Sequence, residues 1–491
     1  MPSSLRLLQA LRASLGAIGA QNPDLKESTR LTLRVADAIL GELALRQNGQ
    51  RVADAFSQLR DIALEGITYL EGAEDSGALE LSDLPSRLPD TMAYDEAGLA
   101  VEAVLHIVQR QIASLRQDRR PEVRRFMARA IEAEDPLFRQ AEAPASRVPA
   151  RELFTAERFE SYLARMFPER RFRVAGFREL LEGYQKTTIL SDLLDGEGNA
   201  QSVVIRADKS EVFLRFDAGK VAEEYRIVRL LFERGIPVAE PLWLEENPEA
   251  MGRAFMVSRR LPGMNPGNPL APRRISEQEA RAIVQTLARI HGTGLDRDFK
   301  ASPIGHWLDH GCLRDNTIAA VESWRAQPWM QQVNASVATT RLVNWLLDNV
   351  PAENGPARLL HVDYGPHNLL IDAGQVSGVL DWESARIGDP AEDLSDLLSR
   401  FQGRIPREQA LRWYAEAGGD AISEQRLRYF DAFNNIKTLI GPLSAAALFE
   451  NEPQSELKWC LLPLLYGSVN RAVEEKIEAA ESAAGFATQQ A

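Results

Sequence analysis

The feature that most constrains this chain lies between residues 359 and 390. The stretch LLHVDYGPHNLLID, residues 359–372, carries the spacing H-x-D-x-x-x-x-N as His361, Asp363 and Asn368. Asp381 closes a second apolar run eighteen residues after Asp363. The apolar runs 358–362 and 376–380 read as short strands, so a chain with this pattern must present two carboxylates and an amide on neighbouring loops. Asp363 is suited to orient a hydroxyl and accept its proton. Asn368 and Asp381 are suited to hold a hard cation through oxygen, the amide doing so without adding charge beside a polyanion. Phosphoryl transfer requires that division of labour and little else. The alternative is a surface Asp, a turn Asn and a strand-ending Asp with no shared purpose, and the joint spacing argues against it.

The texture of the chain changes along its length. Residues 1–140 read as helical: Leu8, Leu11, Leu15 and Ile18 fall at helical spacing, as do Val101, Val104, Val108, Ile112 and Leu115. Residues 141–152, rich in Ala and Pro, read as a linker with a domain boundary near residue 145. Short β-branched or aromatic runs follow at 187–190, 202–206 and 212–216, the first two joined by a turn at 195–198. A helix with Val221, Tyr225, Val228 and Phe232 on one face is predicted next, then strands at 241–244 and 254–258. Ser276 and Glu279 form a capping-box pattern before a further helix. Beyond it the chain is mostly helical, interrupted by the two runs that flank Asp363 and Asp381. The expected fold class is α+β: an all-α N-terminal domain, a small antiparallel sheet lobe at 153–262 and a mainly helical lobe at 263–491.

The segment HVDYGPHNLLID resembles the catalytic loop of the aminoglycoside phosphotransferase and choline kinase superfamily, which has the protein-kinase-like fold. VLDWESARIGDPAEDLSDL, residues 379–397, resembles that family's metal-binding strand and the helix after it. LRWYAEAGG, residues 411–419, is similar to a segment of the branch associated with acyl-CoA dehydrogenases. The resemblance implies ATP and Mg²⁺ as cofactors, Asp363 as catalytic carboxylate, and Asn368 and Asp381 as metal ligands. It also implies a basic strand residue paired with a helix glutamate near the phosphates, here Arg206 and Glu224, with Arg standing where Lys is usual. The phosphate-covering loop falls at 181–188, LEGYQKTT, with the single glycine Gly183 and with Lys186 either adding charge or simply solvated. Residues 255–263, FMVSRRLPG, resemble the hinge between lobes, and Ser258 and Arg260 are assigned there to the nucleotide site. Asp389 and Asp393 are expected to brace the catalytic loop, His361 to organise it, and His367 to be a solvated loop residue.

Composition limits the alternatives. A chain of 491 residues exceeds a single core. Its net charge of −13 has no sustained basic run, which argues against nucleic acid as a partner. Two distant cysteines, Cys312 and Cys460, support neither a disulfide framework nor a zinc site, and a cytoplasmic setting fits them. No stretch is apolar enough for a transmembrane span. His306 and His310 lie four apart without a completing ligand; Trp307, Trp324 and Trp329 read as core. The short gap between Asp381 and the following helix leaves little room to dock a peptide. The expected acceptor is therefore a small hydroxylated molecule. The branch implies a hydroxyacyl-CoA, with an aminoglycoside or other amino alcohol as the alternative. A nucleotide-binding pseudokinase or scaffold is the competing reading of another class. The N-terminal helices read as an accessory domain, and homo-oligomerisation is compatible with them.

Overall fold

The computed structural model describes residues 49–70, 78–86, 94–118, 120–132, 154–180, 185–209, 214–268, 271–272, 275–327, 337–352, 355–401, 404–440 and 461–483. In chain order the principal elements begin with helices α1 (Gly49–Tyr69), α2 (Tyr94–Ser114), α3 (Pro121–Glu132) and α4 (Ala156–Met166). Strands β1 (Arg173–Leu180), β2 (Lys186–Leu194) and β3 (Ala200–Asp208) follow, then α5 (Val221–Glu233), β4 (Pro241–Glu245) and β5 (Phe255–Arg259). A two-residue pair, β6 (Gly267–Asn268) and β7 (Ala271–Pro272), leads to α6 (Glu277–His291) and α7 (Val337–Asp348). Next come β8 (Arg358–Leu360), β9 (Leu369–Asp372), β10 (Gln375–Val379) and β11 (Arg386–Gly388). The chain continues through α8 (Ala391–Arg400), α9 (Arg407–Glu416), α10 (Glu424–Phe433) and α11 (Leu461–Ala483). The α+β class expected from the sequence is the one observed.

The described residues fall into two compact units, one drawn from 1–147, 321–349 and 435–491, the other from 148–320 and 350–434. In the first unit the stripe Val101, Val104, Val108, Ile112 and Leu115 is buried as its spacing requires. α2 packs on α1 and α7, and α3 packs on α11. A buried ion pair ties the later helices together: Arg341 Nε donates to Glu474 Oε1 at 2.7 Å. The helical region read as ending at residue 140 thus shares its unit with two later helices. The residues 141–152 and the early stripe Leu8, Leu11, Leu15 and Ile18 lie outside the described residues.

The second unit holds an antiparallel five-stranded sheet in the order β1-β2-β3-β5-β4. Asp195 closes the β2–β3 hairpin by accepting the N–H groups of Glu197 and Asn199 at 2.9 and 2.8 Å. β1 escapes the sequence reading because it is an edge strand without clean alternation of buried and exposed residues. Of the run read as a strand at 212–216, residues 214–216 lie outside any strand and 212–213 lie outside the described residues. One face of the sheet, with Ile189, Leu193, Val203, Ile205, Phe255 and Val257, packs on Phe159, Tyr162 and Leu163 of α4. Strand alternation then sends Val204 and Arg206 to the opposite face. α5, packed on β3, β4 and β5, meets Arg206 there.

The predicted face of α5 is rotated. Val221, Glu224, Ile227, Val228 and Leu231 are buried, and Phe232 is 43% exposed. The charge attraction of Arg206 draws Glu224 inward, and the residues at its i+3, i+4 and i+7 positions follow. The helical part begins with the expected Ser276–Glu279 capping box on α6. Gly263, at φ 108°, lets the connection between sheet and helices run against β9, where a Cβ would meet the Ile371 carbonyl oxygen at 2.8 Å. No helix among the described residues is long and apolar enough to cross a membrane.

Candidate active site

β8, paired with β11, delivers the chain into the loop 361–368, and the β9–β10 hairpin returns it to Asp381. That hairpin turns on Ala373 and Gly374 at φ 48° and 75°, the left-handed pair that a tight two-residue connection demands. Two bonds join the loops: Leu380 N–H donates to the Asn368 carbonyl at 2.8 Å, and His361 Nε2 donates to the Leu380 carbonyl at 2.8 Å. Burial lowers the pKa of His361 and keeps the imidazole neutral. With its Nε2 proton committed to a carbonyl, His361 organises the loop. Val362 and Asp381 are both left-handed, at φ 72° and 64°, a conformation that costs non-glycine residues about 1–3 kcal/mol and persists only where neighbours enforce it.

At Val362 the enforcing group is Asp393 on α8. It is fully buried and accepts the N–H groups of His361 and Val362 at 2.7 and 2.8 Å. Behind it His291 Nε2 lies 3.3 Å away, and His291 Nδ1 meets the Tyr414 hydroxyl at 2.7 Å. Asp389 forms a different buried pair, with Arg426 Nη2 at 2.5 Å, which ties α10 to the start of α8. Of the two carboxylates expected to brace the catalytic loop, Asp393 is therefore the one in contact with it.

Asp363 is half-exposed and surrounded by donors. Asn368 Nδ2 donates to Asp363 Oδ2 at 3.0 Å and to its backbone carbonyl at 3.1 Å. With the amide nitrogen so engaged, the side-chain oxygen is the acceptor that Asn368 has left to offer. His367 Nε2 reaches Asp363 Oδ2 at 3.0 Å, and Arg400 Nη2 donates to Asp363 Oδ1 at 2.7 Å. His367, expected to be solvated, is thus a partner of Asp363. Arg400 stays firmly protonated: burial works against its charge, but Asp396 and Asp363 outweigh it.

A second charged group converges on Asp381 from the sheet. Arg206 Nη2 lies 2.6 Å from Asp381 Oδ1 and 3.3 Å from Glu224 Oε1. Glu224 also accepts the Trp382 N–H at 3.2 Å, so α5 is pinned to the residue after Asp381. The Arg206–Glu224 pair is buried and is not the surface pair that is its plainest alternative reading. Burial and Asp381 push the Glu224 carboxyl up, against the pull of Arg206. Lys186 is 5% exposed, not solvated; it lies 3.4 Å from both Asp208 and Glu383 and donates to the Gly219 carbonyl. Burial, then the charge of Asp381, pushes Glu383 up to about 8, and Gln185 Nε2 donates to it at 2.8 Å.

Other expected residues stand apart from this group. Ser258 is buried within β5, paired with Val204 on one side and Pro241 on the other. Arg260 is exposed, its N–H engaged by the Ser202 carbonyl at 3.0 Å. Gly183 and Trp329 lie outside the described residues. Trp307 and Trp324 are buried, as read. Trp307 Nε1 donates to Asp217 at 2.7 Å and His306 lies 3.4 Å from the same carboxylate. Among the described residues no three His, Cys, Asp or Glu side chains cluster to hold a metal. Asn368 and Asp381 offer the hard oxygen donors that suit Mg²⁺, an ion usually held by one or two carboxylates with water and substrate phosphates.

Sequence reasoning missed Glu383 and Arg400. Glu383 sits two residues after Asp381 in DWES, a proximity that could have flagged it. Arg400, 37 residues from Asp363, reads as an ordinary charge near a helix end, and no local signal marks it.

Residues 191–430 match the phosphotransferase enzyme family. The mouse protein acyl-CoA dehydrogenase family member 10 is 28% identical over 212 residues, covering 41% of this chain and 19% of that protein. Hygromycin-B 4-O-kinase of Escherichia coli is 25% identical over 293 residues, covering 56% of this chain and 76% of that enzyme. The crystal structure of aminoglycoside phosphotransferase APH(4)-Ia superposes with a TM-score of 0.45 at 19% identity, covering 66% of this chain and 99% of that one. This chain spans at most 38% of the length of the acyl-CoA dehydrogenase family relatives it matches.

Proposed function

We propose, from the premise that this chain belongs to the phosphotransferase enzyme family through residues 191–430, that it transfers the γ-phosphoryl group of ATP to a hydroxyl of a small molecule. The observation that carries this reading is the convergence of Asp363, Asn368, Asp381, Arg206 and Glu224 from four separate elements. Asp363 orients the acceptor hydroxyl and takes its proton as the new P–O bond forms and the bond from the γ-phosphorus to the bridging oxygen breaks, releasing ADP. Asn368 and Asp381 hold Mg²⁺, which when bound neutralises charge on the phosphates. Arg206 supplies a guanidinium fork suited to phosphate oxygens, and Glu224 fixes its direction. Lys186 brings a second cation to the same side of the site. Phosphoryl transfer rests almost entirely on such positioning and charge stabilisation.

For the acceptor, the first reading is a hydroxyacyl-CoA, prompted by the names of the acyl-CoA dehydrogenase relatives. The likeness to hygromycin-B 4-O-kinase supports the second reading, an aminoglycoside hydroxyl. The test is Mg-ATP turnover against a panel of hydroxyacyl-CoA esters of graded chain length and a panel of aminoglycosides. Saturable transfer of radiolabelled phosphoryl to a CoA ester supports the first reading. Transfer to aminoglycosides alone replaces it with the second. Mg-ATP binding without transfer to any hydroxyl would favour the pseudokinase reading.

A further inference from the structure

We propose that Arg400 is the positioning residue of this site: its guanidinium fixes the Asp363 carboxylate directly and a second time through His367, whose tautomer it sets. The proposal rests on the reading of Asp363 as the catalytic carboxylate.

Arg400 lies at the end of α8, and Asp396, one helical turn back, accepts from its Nη2 at 2.9 Å. The same nitrogen donates to Asp363 Oδ1 at 2.7 Å. Nη1 lies 3.2 Å from His367 Nδ1. A guanidinium carries donors only. His367 Nδ1 must therefore accept, and the ring proton must reside on Nε2. That nitrogen is the one 3.0 Å from Asp363 Oδ2, so it donates to the carboxylate. Arg400 holds one carboxylate oxygen and His367, alongside Asn368 Nδ2, holds the other, so the plane of the carboxylate is fixed from both sides. Reversing the tautomer would set two donors against each other at Nδ1 and two acceptors against each other at Nε2.

The loop is shaped to admit the guanidinium. A Cβ on Gly365 would lie 2.7 Å from Arg400 Cδ, 2.9 Å from its Nε and 2.9 Å from His367 Cε1. Any side chain there would displace the arginine. α8 also carries Asp393, which holds the loop backbone at His361 and Val362. One helix thus sets both the backbone of the catalytic loop and the orientation of its carboxylate.

The test combines turnover with a direct reading of the tautomer. The six histidines are labelled with ¹⁵N, and long-range proton–nitrogen correlation assigns each ring, with His367→Gln identifying the resonance. In the wild-type protein His367 should show the Nε2–H form alone; in Arg400→Gln it should show a mixture. Arg400→Gln should lower kcat about 100-fold while the Kd for Mg-ATP stays within about twofold, since misplacement of a reacting group by about 1 Å costs that much. Arg400→Lys should retain more activity than Arg400→Gln, and added guanidinium should restore part of the rate to Arg400→Ala. Gly365→Ala should reproduce the Arg400→Gln pattern. Thermal unfolding of each variant identifies any that fails to fold, and Arg400→Lys with the rescue then decides. An Arg400→Gln enzyme within threefold of wild-type kcat, or a His367 tautomer unmoved by the substitution, overturns the proposal. A wild-type protein that neither binds nor turns over Mg-ATP would instead overturn the function on which it rests, and the tautomer reading would still test the geometry.

Discussion

Replacement of Asp393 tests how the catalytic loop is held. Its carboxylate is buried and accepts two backbone N–H groups, from His361 at 2.7 Å and Val362 at 2.8 Å. Asp393→Ala strands both donors. Each buried group left unsatisfied costs about 1–3 kcal/mol, so the native loop geometry should lose about 4 kcal/mol. Asp393→Asn keeps one acceptor oxygen and turns an NH₂ toward the other N–H, so about half that loss is expected. Val362 stores strain at φ 72°, and this brace helps to enforce it. The loop should therefore relax locally before the unit unfolds. Hydrogen exchange resolved to single amides is the suitable assay, because a chain of two compact units need not unfold in one step. The His361 and Val362 amides should exchange on the order of 10³-fold faster in Asp393→Ala, with transfer activity lost in parallel. If both amides stay protected, with exchange less than about fivefold faster than in the wild type, the brace has been misjudged.

Two further outcomes are expected. Arg206→Lys should weaken Mg-ATP binding about tenfold by calorimetry and Arg206→Met more, because a point charge replaces a fork and then vanishes; Arg206→Met should also lower Tm, since buried Glu224 loses its counter-charge. In chelator without nucleotide, Glu383 should link stability to pH. Its folded pKa, about 8, lies above its ordinary 4.5, so the folded state binds more protons across that window. Stability should accordingly fall as pH rises through it, and Glu383→Gln should flatten the slope in thermal unfolding between pH 5 and 9.

What the sequence made legible was the contiguous part of the site. His361, Asp363 and Asn368 share one loop, and Asp381 follows on the next hairpin, so their spacing survives in the linear chain. Arg206 and Glu224 were reached through the family resemblance, which implies a basic strand residue paired with a helix glutamate; their spacing alone does not single them out. The face of α5 was read as running through Phe232, because hydrophobicity alone cannot know that a guanidinium will draw Glu224 inward. His367 read as solvated, and Lys186 as either solvated or adding charge to the phosphate-covering loop, because their partners Glu383, Asp208, Asp363 and Arg400 meet them only in three dimensions. For the helical region before residue 140 the partner stayed open for a similar reason: an apolar stripe states that it needs a partner and does not say where along the chain that partner lies. Here part of it is α7 and α11.

The central claim is that Asp363 acts on the acceptor hydroxyl in an ATP-dependent phosphoryl transfer. Asp363→Asn preserves the shape of the side chain and removes its ability to take a proton. The decisive measurement is transfer of the γ-phosphoryl group to the acceptor identified from the panel, made in parallel with Mg-ATP affinity by calorimetry. The account predicts a transfer rate lower by about 10³-fold or more with Mg-ATP affinity within about threefold of wild type. An Asp363→Asn protein that phosphorylates the same acceptor near the wild-type rate would contradict it.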